Sequence, residues 1–188
     1  VIAGFPGMKL EILGFDLGIY SVSSNVIAGG VANNRAKVSF IDSKMTDLSV
    51  NQDYYELNCA RCTMSGVTTF RFGNFVASKT NDLFLLDEPQ INQTGHYHLL
   101  AADTITNMLE IRNDDFPVKI ANSMLVKMFF WKWNSLATES NLVFNNEFNN
   151  SLIFISPYGV PAYNFEITSN LFAGTTTYFS GSLTCAGG

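Results

Sequence analysis

The sequence has little charge. Lys, Arg, Asp and Glu together make up 14% of the 188 residues, well below the roughly 25% that is usual for soluble domains. A lone chain with so few charges would expose a poorly solvated surface. Either Asn, Ser and Thr solvate this surface or neighbouring chains cover it, and we favour the second explanation. The formal net charge of −5, with no basic cluster at either end, argues against strong nucleic-acid binding.

Cysteines and long apolar runs are also scarce. The three cysteines, Cys59, Cys62 and Cys185, are an odd number and do not favour a secreted disulfide framework. No apolar run approaches the roughly 20 residues that a membrane-spanning helix needs. The N-terminal VIAGFPGMKL lacks the pattern of a signal peptide and begins without Met. We therefore expect a chain processed from a polyprotein or trimmed from a longer protein.

What the sequence does contain is alternation of apolar and polar residues with period two. Clear examples are residues 163–168 (YNFEIT) and 175–185 (TTTYFSGSLTC), in which successive side chains would point to opposite faces of a sheet. Residues 123–133 (SMLVKMFFWKW) are apolar on both faces and predict a central strand that is covered on both sides. Further strands are predicted at residues 8–20, 36–41, 66–77, 82–87 and 152–155.

Short turn-like segments separate these predicted strands, and this arrangement favours an all-β sandwich or barrel. Two stretches show approximate helical spacing and predict short helices. These are residues 51–62 and residues 103–111, where Asp103 would cap the first turn. Neither an internal repeat nor a linker is evident, so residues 1–188 are expected to form a single domain.

Two pairs of residues could bind a metal. Cys59 and Cys62 have C-x-x-C spacing, while His96 and His98 could project from one face of a strand. Two thiolates and two imidazoles would suit zinc, but the spacing between the pairs matches no common zinc module. Buried cysteines and ordinary histidines are the favoured alternative. A redox role for the thiols would need a βαβ setting, which the pattern does not predict.

No pattern in the chain predicts catalysis or a cofactor. There is no G-x-S-x-G elbow and no phosphate-binding glycine loop, so we expect no catalytic residue, no cofactor and no enzymatic activity. Trp131 and Trp133 lie two residues apart, on either side of Lys132, and would share one strand face. They could stack on a sugar ring, although packing in a core is the favoured interpretation.

Three segments, in this order, resemble the jelly-roll coat proteins of picorna-like plant viruses, the comovirus, nepovirus and cheravirus group. They are ARCTMSGVTTFRF (60–72), NSMLVKMFF (122–130) and IFISPYGVPAYNFEI (153–167). The resemblance implies an eight-stranded antiparallel jelly-roll β-sandwich with one or two short helices in its loops. It also implies that Pro157, Tyr158 and Pro161 form the crossover between its G and H strands.

The resemblance further implies a function as a small coat protein. Such a chain is a structural subunit of a small non-enveloped icosahedral (pseudo T=3) shell around a positive-strand RNA genome, found in virions assembled in the host cytoplasm. The implied partners are other coat-protein subunits, encapsidated RNA through weak or non-specific contacts, and possible movement or vector proteins, with no membrane. The alternative is a carbohydrate- or receptor-binding β-sandwich of the adhesin or lectin type.

Overall fold

Every regular element among the described residues is a β-strand. The computed structural model describes residues 9–21, 36–50, 55–86, 98–113, 118–133, 141–157 and 165–179. One sheet, here called the odd sheet, contains β1 (Lys9–Leu13), β3 (Ala36–Ile41), β5 (Tyr55–Ala60), β7 (Gly73–Val76), β9 (His98–Ala101), β11 (Val118–Ala121), β13 (Asn141–Phe144) and β15 (Phe165–Thr168), in that order.

The second sheet, here called the even sheet, contains the strands that lie between these in the sequence. They are β2 (Asp16–Ser21), β4 (Lys44–Val50), β6 (Thr63–Phe70), β8 (Lys79–Leu86), β10 (Thr104–Asn113), β12 (Met124–Trp133), β14 (Glu147–Pro157) and β16 (Leu171–Ala173), with β17 (Thr176–Phe179) also paired to β14. In the part of the chain that is described, no helix is long and apolar enough to cross a membrane.

The strands form a parallel β-solenoid. Each strand pairs in parallel with the strand two places further along the chain, as β3 does with β5 and β10 with β12. One odd strand and the even strand that follows it therefore make one coil, and the described residues contain eight such coils stacked on one another. The predicted antiparallel jelly-roll sandwich is wrong, because alternation fixes which side chains face inward but not the direction of the neighbouring strand.

The two predicted helices are also wrong. The described part of residues 51–62 is β5 and the turn that follows it, and residues 103–111 are a turn followed by β10. Ile105 and Leu109 are both buried. Residues four apart lie on the same face of a strand as well as on the same face of a helix, so this spacing does not distinguish the two structures.

The core lies inside the coils. Side chains from successive coils stack in register along the solenoid axis, about 4.8 Å apart. One such column is fully buried through six coils: Phe40, Cys59, Phe75, Leu100, Ile120 and Val143. Opposite it, the even sheet contributes Leu48, Leu83, Leu109, Phe129 and Ile153. Each coil thus depends on its neighbours to cover its apolar side chains.

A two-residue corner joins the odd strand to the even strand of each coil. The first corner residues have φ between 52° and 67°, and seven of the eight are not glycine: Gly14, Asp42, Arg61, Ala77, Ala102, Asn122, Asn145 and Ser169. The second corner residues are Phe15, Ser43, Cys62, Ser78, Asp103, Ser123, Asn146 and Asn170. From Ser43 to Asn146 these second residues are buried, so a line of small polar groups runs through the interior.

The repeated corner corrects the expectation that the chain has no internal repeat. The first corner residues stand at positions 14, 42, 61, 77, 102, 122, 145 and 169. Their intervals are unequal, because the segments that connect one coil to the next differ in length. A search for a fixed period therefore misses a unit that recurs in every coil.

Candidate functional site

The solenoid separates the residues that the sequence offers as weak candidates for a shared metal site. Cys59 lies in register with Phe75, and Phe75 with Leu100, whereas His98 lies two residues before Leu100 on β9. Two coils and two residues along a strand separate Cys59 from His98 by roughly 12 Å between Cα atoms, with Phe75 in the intervening coil. His96 and Cys185 fall outside the described residues. Among the described residues, no three His, Cys, Asp or Glu side chains converge on a point that could bind a metal.

Cys59 and Cys62 are both buried free thiols. Burial raises the pKa of Cys59 well above its usual value. A hydrogen bond with Cys59 lowers the pKa of Cys62 to about 7. The Sγ atom of Cys62 donates to the carbonyl oxygens of Phe40 at 3.3 Å and Ala60 at 3.4 Å, and only the protonated thiol makes these bonds. The pair therefore has the environment of buried structural thiols rather than of exposed nucleophiles.

His98 and Trp131 are also core residues. His98 has no exposed surface, and its Nδ1 accepts a hydrogen bond from the backbone N–H of Gly73 at 3.4 Å. Trp131 is fully buried and packs against Phe129, with 5.7 Å between ring centroids. A sugar ring cannot reach Trp131. Trp133 ends β12, and its side chain lies outside the described set.

The predicted crossover residues lie at the edge of the described region. Pro157 is the last residue of β14 and is in register with Trp133 of β12. The chain passes from the even sheet to the odd sheet between β14 and β15, but these are the sheets of a solenoid. Tyr158 and Pro161 lie outside the described residues.

The second corner residues form a hydrogen-bonded series, here called the corner ladder. The backbone N–H of one second corner residue donates to the side chain of the next: Cys62 to Ser78 (3.2 Å), Ser78 to Asp103 (2.7 Å), Asp103 to Ser123 (3.1 Å), Ser123 to Asn146 (2.8 Å) and Asn146 to Asn170 (2.8 Å). These bonds satisfy backbone donors that a sharp interior turn would otherwise leave unpaired. Asp103 is the ladder member with a carboxyl group.

Asp103 lies in an environment unlike that of an ordinary aspartate. It is 2% exposed, its Oδ1 accepts the N–H of Ser78, and its Oδ2 has no hydrogen-bond partner. Burial raises the pKa of Asp103 to about 7, against the opposing effect of the Ser78 and Ala101 backbones. The sequence does not reveal this group, because its pattern predicts Asp103 to be a helix cap. The available signal was Ser, Asn or Asp placed directly before successive strands, as in IDSK, VASK, AADT and FNNE.

The outward face of the even sheet carries a second feature. Met108, Met128 and Leu152 lie in register on three adjacent coils, and Phe130 and Phe154 form the neighbouring column. Leu152 is 37% exposed and the other four are partly exposed. The rings of Phe130 and Phe154 are 6.1 Å apart between centroids. These five residues are here called the outer apolar ladder.

Charge is sparse around the outer apolar ladder. Asp82 is in register with Met108 and accepts a hydrogen bond from Asn107. Glu110 is in register with Phe130 and pairs with Arg112 on its own strand. Lys127, which precedes Met128, is exposed and donates a hydrogen bond to Asn107 at 3.3 Å. These charged groups have partners within the face, and the five apolar side chains are its dominant feature.

Comparison with models of known protein families, with curated proteins and with solved structures gives no match to this chain.

Proposed function

We propose that this chain is a non-catalytic structural solenoid that associates with a second copy of itself through the outer apolar ladder. One observation carries the proposal: β12 is apolar on both faces, whereas the solenoid interior covers only one of them. Phe129 and Trp131 point into the core, while Met128 and Phe130 point outward. Parallel sheets are normally covered on both faces, and here a neighbouring molecule would supply the second cover.

A second copy suits this surface because a twofold interface must be complementary to itself. An apolar column packs against the same column of another copy with few charges to desolvate. Asp82 and Lys127, which border the column, have hydrogen-bond partners in their own chain, and Glu110 pairs with Arg112. Two such sheets pack face to face at about 10 Å, with interdigitating side chains. The 14% charged composition is consistent with a surface that is partly covered in an assembly.

The expected role as a viral coat protein loses its main support. That expectation depended on an antiparallel jelly roll, and the strands are parallel. Glycan binding through Trp131 is likewise unsupported because this indole is buried.

Sedimentation velocity over a range of protein concentrations tests the proposal. We expect a monomer–dimer equilibrium in the unaltered chain and a shift to monomer in Leu152→Glu, which places a charge in the ladder. Val76→Glu is the matched control, because Val76 is 39% exposed against 37% for Leu152 but lies on the odd sheet. Circular dichroism would establish that both variants are folded. A chain that stays monomeric at every concentration, or a dimer that Leu152→Glu leaves intact, would refute the proposal.

A further inference from the structure

We propose that Asp103 is a proton-binding site of the corner ladder: its Oδ2 carries a proton that it donates to the carbonyl oxygen of Phe75, so that the contact between the fourth and fifth coils depends on pH. The fourth coil is β7 with β8, and the fifth is β9 with β10. The inference rests on what the other ladder members do at the equivalent position, and it is independent of self-association.

Four ladder members donate to an equivalent backbone carbonyl of the preceding coil. In each case the acceptor residue lies two places before the first corner residue of that preceding coil. Cys62 donates to Phe40 at 3.3 Å, Ser78 to Cys59 at 3.5 Å, Asn146 to Ile120 at 2.9 Å and Asn170 to Val143 at 2.8 Å. Ser43 and Ser123 differ, because they donate within their own coil to Ile41 and Ala121, each at 3.0 Å. Applied to Asp103, whose preceding coil turns at Ala77, the pattern of the two asparagines designates the carbonyl of Phe75.

Comparison with Asn146 indicates which role each carboxyl oxygen of Asp103 takes. Asn146 accepts the N–H of Ser123 with Oδ1 at 2.8 Å, and Asp103 accepts the N–H of Ser78 with Oδ1 at 2.7 Å. The other terminal atom of Asn146 is Nδ2, the donor to Ile120. In Asp103 this atom is Oδ2, which is buried without a partner. An oxygen in a donor position forms the ladder bond only when it is protonated.

No Lys or Arg side chain on the described parts of the packed elements points inward toward Asp103. The inward-facing titratable groups described on the packed elements are the thiols of Cys59 and Cys62 and the imidazole of His98. A negative charge on Asp103 raises the pKa of the Cys59 thiol, because the carboxylate and the thiolate repel each other. The side chains of Ser78 and Ser123, its direct ladder neighbours, do not titrate. The charged side chains described on β8, β10 and β11 lie at outward positions, alternating with buried residues.

The direction of the pH effect follows from where the proton is held. The unfolded chain releases it near the ordinary aspartate value of 3.8, whereas burial raises the folded-state pKa to about 7. Between these two pH values the folded state binds more protons than the unfolded state, so stability falls as the pH rises. The unfolding equilibrium constant increases by up to roughly tenfold per pH unit. Above about pH 7 both states are ionised and the loss is complete.

Asp103→Asn tests this directly, because Asn already occupies the same ladder position at Asn146 and Asn170. Urea unfolding midpoints would be measured from pH 4 to pH 9 for both proteins. We expect the unaltered chain to lose stability between pH 4 and 7 relative to Asp103→Asn, which should be the more stable above pH 7. Asn146→Asp, a carboxyl group at an equivalent position, should acquire a similar pH-dependent loss.

Infrared absorption of the unaltered protein provides a second readout that does not require any variant to fold. A protonated carboxyl band at pH 5.5 that disappears as the pH is raised through 7 would support the proposal. An Asp103 that is ionised at pH 5.5, with no such band, would overturn it. Equal pH dependence of stability in the unaltered chain and in Asp103→Asn would overturn it as well.

Discussion

Gly73 lies so close to the backbone of Leu57 in the preceding coil that a Cβ atom at Gly73 would be 1.9 Å from the Leu57 carbonyl oxygen. The two residues are in register between β5 and β7. The obstacle is backbone, which cannot rotate away as a side chain can. Glycine is therefore required here to let two coils stack at their normal distance.

Gly73→Ala is expected to destabilise the protein by more than about 3 kcal/mol, because the coils must separate or the backbone must shift to accommodate the methyl group. Urea denaturation followed by circular dichroism measures the change. Gly14→Ala is the matched control. No atom lies within 4 Å of a Cβ there, although φ is +67°, so the cost should be only about 1 kcal/mol. Equal losses in the two variants would contradict this account of Gly73.

The two buried cysteines should respond differently to serine. Cys62 occupies the ladder position that Ser43, Ser78 and Ser123 fill in other coils, so Cys62→Ser is expected to cost less than about 1 kcal/mol. Cys59 lies in the apolar column between Phe40 and Phe75, and Cys59→Ser should cost about 1–3 kcal/mol. Urea unfolding of both variants checks the difference. A larger loss in Cys62→Ser would show that the ladder does not treat thiol and hydroxyl alike.

Thr68 offers a stabilising substitution. It has no exposed surface, it lies in register with Leu48 and Leu83, and its Oγ1 has no hydrogen-bond partner. Thr68→Val keeps the branched shape and removes the unpaired hydroxyl, so stability should rise by about 1 kcal/mol. Thr69→Val, at the next and outward position, should change it by less than about 0.5 kcal/mol. A thermal melt that drops in Thr68→Val would disprove the stated cause.

Alternation predicted individual strands well where the chain is regular. Residues 36–41 were predicted with the observed bounds of β3, and residues 123–133 differ from β12 by one residue. Prediction failed where a corner interrupts the pattern. The single strand predicted at 66–77 is instead the end of β6, a turn at Arg71 and Phe72, and then β7. The β-branched and aromatic content continues across that turn and conceals it.

The candidate sites could be predicted only in part. The sequence marked Cys59, Cys62 and the two-sided character of β12. It could not show that Cys59 and His98 belong to different coils, nor that Asp103 continues a buried ladder. Those facts depend on which residues come into register after connections of unequal length, and local composition does not encode register.

The sequence by itself determined that the chain is rich in β-strands, that its core is apolar and aromatic, and that little charge remains for its surface. These properties follow from side-chain chemistry and from a period of two. Only the tertiary structure decided that the strands are parallel, that the corners stack into one polar ladder, and that a carboxyl group is buried within it. The physical reason is that inward and outward alternation is the same for parallel and antiparallel neighbours. The winding direction, and every contact between coils, is set by how the whole chain packs.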